Sequence, residues 1–163
     1  NFKTGKPVLI EPQMKVTSFP KVLGTDGVQK MSKSLNNEIE IAATPEETRA
    51  RVMTMVTDPQ RTHRNIPGRP EVCNVFSLHK TFTAAETVAE IDRDCRSAAL
   101  GCVDCKKRLA EGINANLADF RARREELARN PDPVWDILRD GAQRASVIAE
   151  RTMAEVRDAI GLP

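Results

Sequence analysis

The chain has no tyrosine, one tryptophan and five phenylalanines among 163 residues. A core of stacked aromatic rings is therefore excluded, and the interior must be built from Leu, Ile, Val, Ala and Met. No apolar run reaches the ~18 residues that a membrane-spanning helix needs, and no secretory h-region opens the sequence. Neither sign of charge is in large excess. The 25 basic and 23 acidic residues leave a net charge of +2, with a pI near 8.4. That balance permits RNA binding without requiring it. With 40% hydrophobic and 29% charged residues, the composition is that of a soluble globular protein, long enough for one domain or a small pair.

Four cysteines without a secretory signal point to a reducing, cytoplasmic compartment, where they serve as thiols or metal ligands more often than as disulfides. The first residue is Asn1 rather than Met, and Pro7-Val8-Leu9-Ile10 reads as a strand already in progress. Both suggest a piece of a longer protein whose beginning is missing.

Residues 1–43 differ in texture from the rest. Pro7–Ile10 and Lys21-Val22-Leu23 are short, β-leaning apolar pieces, and Gly24-Thr25-Asp26-Gly27 supplies turn chemistry. A strand, a glycine turn and the lysine loop that follows suggest the trailing edge of an α/β domain. From Thr44 onward the pattern is helical. Thr44-Pro45-Glu46-Glu47 is a capping box with Pro at the first helical position, predicting a helix to about Val56. A second helix is expected over Glu71–Lys80, with Val72, Val75, Phe76 and His79 on one face. A third is expected from the capping box Thr83-x-x-Glu86 to about Leu100, closed by Gly101. A long amphipathic helix spans about Asp104–Arg129, with Leu109, Ile113, Leu117, Phe120 and Leu127 at helical spacing. A last helix begins at Asp132-Pro133, carries a stripe from Leu138 to Ile160 and ends at Gly161. Trp135 is expected to pack near its start. The expected fold is mainly α, a bundle of about five helices over 44–163 preceded by the end of an α/β domain over 1–43.

Between the glycine turn and the first helix lies Lys30-Met31-Ser32-Lys33-Ser34. Two lysines on long stems suit phosphate oxygens, and the serines with the backbone N–H groups can fill the remaining acceptor sites of a polyphosphate. The cysteines form a second constellation. Cys102-x-x-Cys105 is a metal-type spacing, and Cys95 and Cys73 complete a set of four. The set would suit zinc or an iron–sulfur cluster, or stand as bare thiols. Arg61 and Arg64 sit with His63 in a basic loop that could touch RNA phosphate or remain solvated. His79, among apolar neighbours, reads as a core residue.

K-M-S-K-S, preceded by the glycine turn and followed by Leu35-Asn36-Asn37, resembles the class I aminoacyl-tRNA synthetases. The downstream pieces resemble the tryptophanyl branch. They are Thr57-Asp58-Pro59 with Arg61 and Arg64, Pro67-Gly68-x-Pro70-x-x-Cys73, Gly101-Cys102-x-x-Cys105-Lys106, and the tail from Gly141-Ala142 to Gly161-Leu162. The resemblance covers essentially the whole chain but only the C-terminal half of the family's protein. It implies that the α/β domain is Rossmann-like, and that ATP, with its Mg2+, is bound at Lys30, Met31, Ser32, Lys33 and Ser34. Lys33 is the leading catalytic residue and Lys30 the second, and both stabilise the departing pyrophosphate. The helices beyond would recognise the anticodon of tRNA(Trp), with Arg61 and Arg64 as candidate contacts. The tryptophan pocket would lie outside this chain, and the full-length enzyme would be a homodimer without a membrane anchor. Some members carry a four-iron cluster on cysteines spaced much like Cys73, Cys95, Cys102 and Cys105, which leaves [4Fe-4S], Zn2+ or no metal open. The tyrosyl branch and a stand-alone helical RNA-binding module are the alternative readings.

Overall fold

The computed structural model describes residues 9–17 and 21–162. It is helical, with α1 Pro45–Met53, α2 Asn74–Phe82, α3 Ala85–Arg96, α4 Cys102–Arg129 and α5 Asp132–Ile160. Two compact units are present, Ser18–Arg124 and Asn1–Thr17 with Glu125–Pro163. Among the described residues no helix is long and apolar enough to cross a membrane.

No strand forms among the described residues. Their one isolated backbone bridge is the antiparallel pairing of Leu23 with Lys30. Of the run expected as a strand, Pro7 and Val8 lie outside the described residues, and Leu9 and Ile10 are exposed and belong to no strand. A strand needs a neighbouring strand to satisfy its amides, and none is supplied among the described residues.

The first helix starts where its capping box predicts. Thr44 Oγ1 accepts from the Glu47 amide at 3.2 Å, and Glu47 Oε2 accepts from the Thr44 amide at 2.8 Å. It stops at Met53, short of Val56, because the Val56 amide donates to the Thr25 carbonyl at 2.9 Å instead of continuing the helical ladder. The second helix is also shifted. Pro70–Val72 forms a single 3-10 turn, α2 begins at Asn74, and Val72 is left exposed. Thr83 does not cap α3, since its hydroxyl is engaged by His79 Nδ1 at 2.8 Å. α3 ends at Arg96 rather than Leu100, and Ala98, at φ 62, takes the left-handed position expected of Gly101. Gly101 instead starts α4, its carbonyl accepting from the Cys105 amide at 3.0 Å. α5 ends as predicted on Gly161 at φ 72.

The interior is aliphatic. Val52, Met55, Val75, Leu78, Leu109, Ala110 and Ile113 form one cluster, and Phe76, Ile91 and Leu100 form a second. Cys73 and Cys105 pack against both. Each fully buried Leu or Ile contributes about 1.5–3 kcal/mol by leaving water. His79 is fully buried within this core. Its Nε2 lies 3.1 Å from the Cys105 carbonyl, which can only accept, so the proton sits on Nε2 and Nδ1 accepts from Thr83. Burial lowers its pKa and keeps the ring neutral. In the second unit α5 has no buried residue. Trp135, Ile137, Leu138, Val147 and Ile148 are all exposed, so Trp135 does not pack as expected.

Candidate functional site

The lysine loop is shaped by polar side chains. The chain turns at Gly24–Gly27, where Gly27 has φ 69, a left-handed value that costs glycine little. Gly24 N–H donates to Gln29 O at 2.9 Å, and Met31 N–H to Val22 O at 2.9 Å. Asp26 Oδ1 accepts from the Val28 and Gln29 amides at 2.8 and 3.0 Å. Ser32 then starts a single 3-10 turn, Lys33–Leu35, which Asn36 ends in the left-handed conformation at φ 49. Ser32 Oγ and Ser34 Oγ are 2.9 Å apart.

One residue joins both limbs of this loop. Asn37 is 3% exposed. Its Oδ1 accepts from the Ser32 amide at 2.8 Å, and its Nδ2 donates to Asp26 Oδ2 at 2.6 Å. A Cβ on Gly24 would meet Asn37 Cγ at 2.2 Å, so a side chain at position 24 would expel this amide. The Asp26 carboxyl is held below its usual range, chiefly by the Asn37 hydrogen bond. From the helices, Asn74 Nδ2 donates to Gly24 O at 2.7 Å. Arg51 donates to Glu38 O at 2.8 Å, to Asn36 Oδ1 at 2.7 Å and to Asn36 O.

Lys30 and Lys33 lie on the exposed side of this framework. Lys33 Nζ is 3.9 Å from Glu40, and its side chain is 85% exposed. Such a pair contributes little, so the ammonium is available to an incoming anion. The loop can therefore offer two mobile positive charges and a pair of hydroxyls from a fixed backbone. Asn37, noted only as part of the loop's flank, and Asn74 were assigned no role from the sequence. The one available signal was an Asn shortly beyond the last serine, a residue type that commonly bonds to backbone in turns.

The four cysteines are free thiols, partly buried. Burial is the main reason the thiols of Cys73, Cys95 and Cys105 titrate high, Cys105 being pushed up to about 12. The raised values keep these three thiols protonated. Among the described residues no three His, Cys, Asp or Glu side chains form a set that could hold a metal ion. The metal reading of the cysteine spacing, zinc or iron–sulfur alike, therefore finds no support in the geometry of the described residues.

Arg61 is 9% exposed and points inward. It donates to Leu100 O at 2.8 Å and Arg64 O at 3.0 Å, and its Nη1 lies 3.6 Å from Cys95 Sγ. Among the described residues no carboxylate pairs with it, and its Nε is buried without an acceptor. Gly68 permits this approach, since a Cβ there would meet Cys95 Sγ at 2.5 Å. Arg64 is exposed and lines, with His63, Gly101, Cys102 and Asp104, an open cavity of 400 Å³ at the start of α4. The neighbouring Asp58 is a buried organiser of the same segment. It accepts from Arg69 Nη2 at 2.6 Å, from Arg69 Nε and amide at 3.0 Å each, and from the Gln60 amide at 3.0 Å. These bonds, led by Arg69, hold its carboxyl far below the usual carboxylate range.

Residues 3–118 match the family model described as tRNA synthetases class I (W and Y). Tryptophan–tRNA ligase of Aquifex aeolicus is 44% identical over 154 residues, covering 94% of this chain and 39% of the relative. The Thermotoga maritima ligase is 36% identical, covering 95% and 47%. A crystal structure of tryptophanyl-tRNA synthetase from Campylobacter jejuni, complexed with ADP and tryptophan, superposes with a TM-score of 0.74 at 32% identity. That match covers 91% of this chain and 46% of that one. The chain thus spans less than half the length of these relatives.

Proposed function

The chain belongs to the tryptophanyl-tRNA synthetase family of class I enzymes, and we propose that it is the C-terminal part of a cytoplasmic tryptophan–tRNA ligase. In this reading residues 1–43 close the catalytic domain and carry its K-M-S-K-S loop, and residues 44–163 form the anticodon-recognition helices. The full-length enzyme, a homodimer, activates tryptophan with Mg2+-ATP and transfers it to tRNA(Trp). The observation that carries the reading is the presentation of Lys30 and Lys33 on a backbone fixed by Asn37, Asn74 and Arg51.

Adenylate formation moves a phosphoryl group with little acid–base chemistry. Its main demand is stabilisation of negative charge on the leaving pyrophosphate. Lys33, exposed and only loosely tied to Glu40, is suited to that charge, with Lys30 beside it. Met31, Ser32 and Ser34 complete the ATP contact. Exposed Arg64 is the tRNA phosphate contact, and inward-facing Arg61 supports it by bonding the Arg64 carbonyl.

Purified full-length protein should charge tRNA(Trp) with tryptophan and not with tyrosine. Charging with tyrosine would transfer the reading to the tyrosyl branch. Binding of tRNA without any tryptophan-dependent ATP–pyrophosphate exchange would favour a non-catalytic RNA-binding module.

A second element rests on Arg61. A buried guanidinium with an orphaned Nε lies with its Nη1 3.6 Å from the Cys95 sulfur, and this arrangement suits an anionic group at that cysteine. In an iron–sulfur cluster each cysteine would hold a different iron, so the four need not surround a single ion. When bound it would supply a structural staple joining α2, α3 and α4. Anaerobically purified protein lacking iron and visible absorption would reject this element alone.

A further inference from the structure

Resting on the reading of Lys30 and Lys33 as the pyrophosphate-stabilising pair, we propose that Asn37 is a positioning residue for adenylate formation. Asn37 sets the backbone that aims the two lysines, and Asn74 anchors that backbone to the helices. The Asn37 amide uses both ends. Its oxygen holds the Ser32 N–H in the middle of the lysine loop at 2.8 Å, and its nitrogen holds the Asp26 carboxylate at the base of the turn at 2.6 Å. A longer contact of 3.5 Å reaches the carbonyl of Lys30. Asn37 thus ties the segment between the two lysines to the turn that precedes them.

The surroundings are built around this amide. Gly24 leaves the space that Asn37 fills, and the Gly24 carbonyl accepts from Asn74 Nδ2 at 2.7 Å. Asn74 is 7% exposed and stands in the first turn of α2. Both asparagines are nine-tenths buried, yet the lysines they orient are exposed. Neither asparagine needs to touch ATP for this role. Displacement of a charge-stabilising group by about 1 Å can lower a rate by up to roughly 100-fold.

The chemistry of the pair supplies a sharp test in the full-length ligase. In Asn37→Asp the Ser32 N–H keeps its acceptor, but two carboxylates now face each other across the turn. Adding Asp26→Asn restores a donor–acceptor pair of opposite polarity in the same place, because the new amide would donate where the Asp26 carboxylate accepted. The oxygen of that amide would still serve the Val28 and Gln29 N–H groups. The readout is tryptophan-dependent ATP–pyrophosphate exchange, with kcat and the KM for tryptophan measured separately. Asn37→Asp and Asn37→Ala are expected to lower kcat about 10- to 100-fold while the KM for tryptophan changes less than about twofold. The Asp26→Asn/Asn37→Asp double variant is expected to recover most of the loss, and Asn74→Ala to give a smaller fall in kcat.

A core variant, Val75→Ala, controls for loss of stability. If it lowers kcat as much as Asn37→Asp at equal thermal stability, the role is merely structural and the proposal is overturned. The proposal is also overturned if Asn37→Asp keeps wild-type kcat, or if the double variant is no better than the single. Lys33→Ala separates the two levels. Loss of exchange there, with Asn37 variants unaffected, sinks this inference alone. Unchanged exchange in Lys33→Ala sinks the loop reading and this inference with it.

Discussion

Between Leu23 and Asn37 the residues withdrawn from water are Gly24, Thr25 and Asn37, and the shape is kept by directed bonds to amides and carbonyls. Across α1, α2 and α4 the main apolar cluster includes Val52, Val75, Leu78, Leu109, Ala110 and Ile113, and cohesion comes chiefly from apolar area. The two regions therefore differ in what a single substitution removes. A directed bond fixes position at modest energy, about 0.5–1.5 kcal/mol net for a neutral pair. Core packing supplies energy without aiming any particular group. The role proposed for the loop, placing two ammonium groups on phosphate oxygens, is better served by the first, and a module that must simply stay folded by the second.

The largest stability effect should come from the aliphatic side. Ile113→Ala, at a position 1% exposed, should cost about 2–5 kcal/mol, read as a shift in the denaturation midpoint. A cost below about 1 kcal/mol would show that α4 contributes less cohesion than its burial implies.

Asp58 offers an intermediate case, a buried carboxylate organising backbone inside the helical module. Asp58→Ala should cost about 1.5–3 kcal/mol. The Arg69 bonds depress the carboxyl pKa in the folded state, so the stabilisation is fully present above the ordinary value of 3.8 that the unfolded chain keeps. It is lost progressively as pH falls below that value. Acid titration of the midpoint should be shallower in Asp58→Ala than in wild type.

The smallest effect concerns His79. Its folded pKa is lowered by burial from the ordinary value of 6.5. The unfolded chain therefore takes up a proton first as pH drops, and stability declines below about pH 6.5. The slope between about pH 6.5 and 5 should flatten in His79→Gln, and an unchanged slope would assign it to other groups.

Legibility in the sequence followed the range of the deciding bond. The α1 start was readable because Thr44 and Glu47 satisfy each other locally. Its end was not, because the Thr25 carbonyl that captures Val56 lies far back in the chain. Thr83-x-x-Glu86 misled for a different reason: the competing partner, the His79 ring, is only four residues away, but the Cys105 carbonyl that orients it lies far along the chain. α4 was legible from Leu109 and Ile113, whose spacing reflects the core itself. In α5 the same kind of stripe predicted burial, yet none of its residues is buried. Periodicity identifies an amphipathic helix but does not say what covers its apolar face. At the loop, the lysines could be proposed as phosphate ligands from their type. The roles of the Asn37 and Asn74 amides could not, because their partners at Asp26 and Gly24 are fixed only by the folded turn.

The central claim is that this polar-framed loop stabilises the pyrophosphate leaving group. The most direct test is tryptophan-dependent ATP–pyrophosphate exchange by the full-length ligase, wild type against Lys33→Ala. The account predicts a fall in rate of about 30- to 1,000-fold, corresponding to about 2–4 kcal/mol of transition-state stabilisation, with tryptophan affinity nearly unchanged. Equal exchange rates in the two proteins would contradict it.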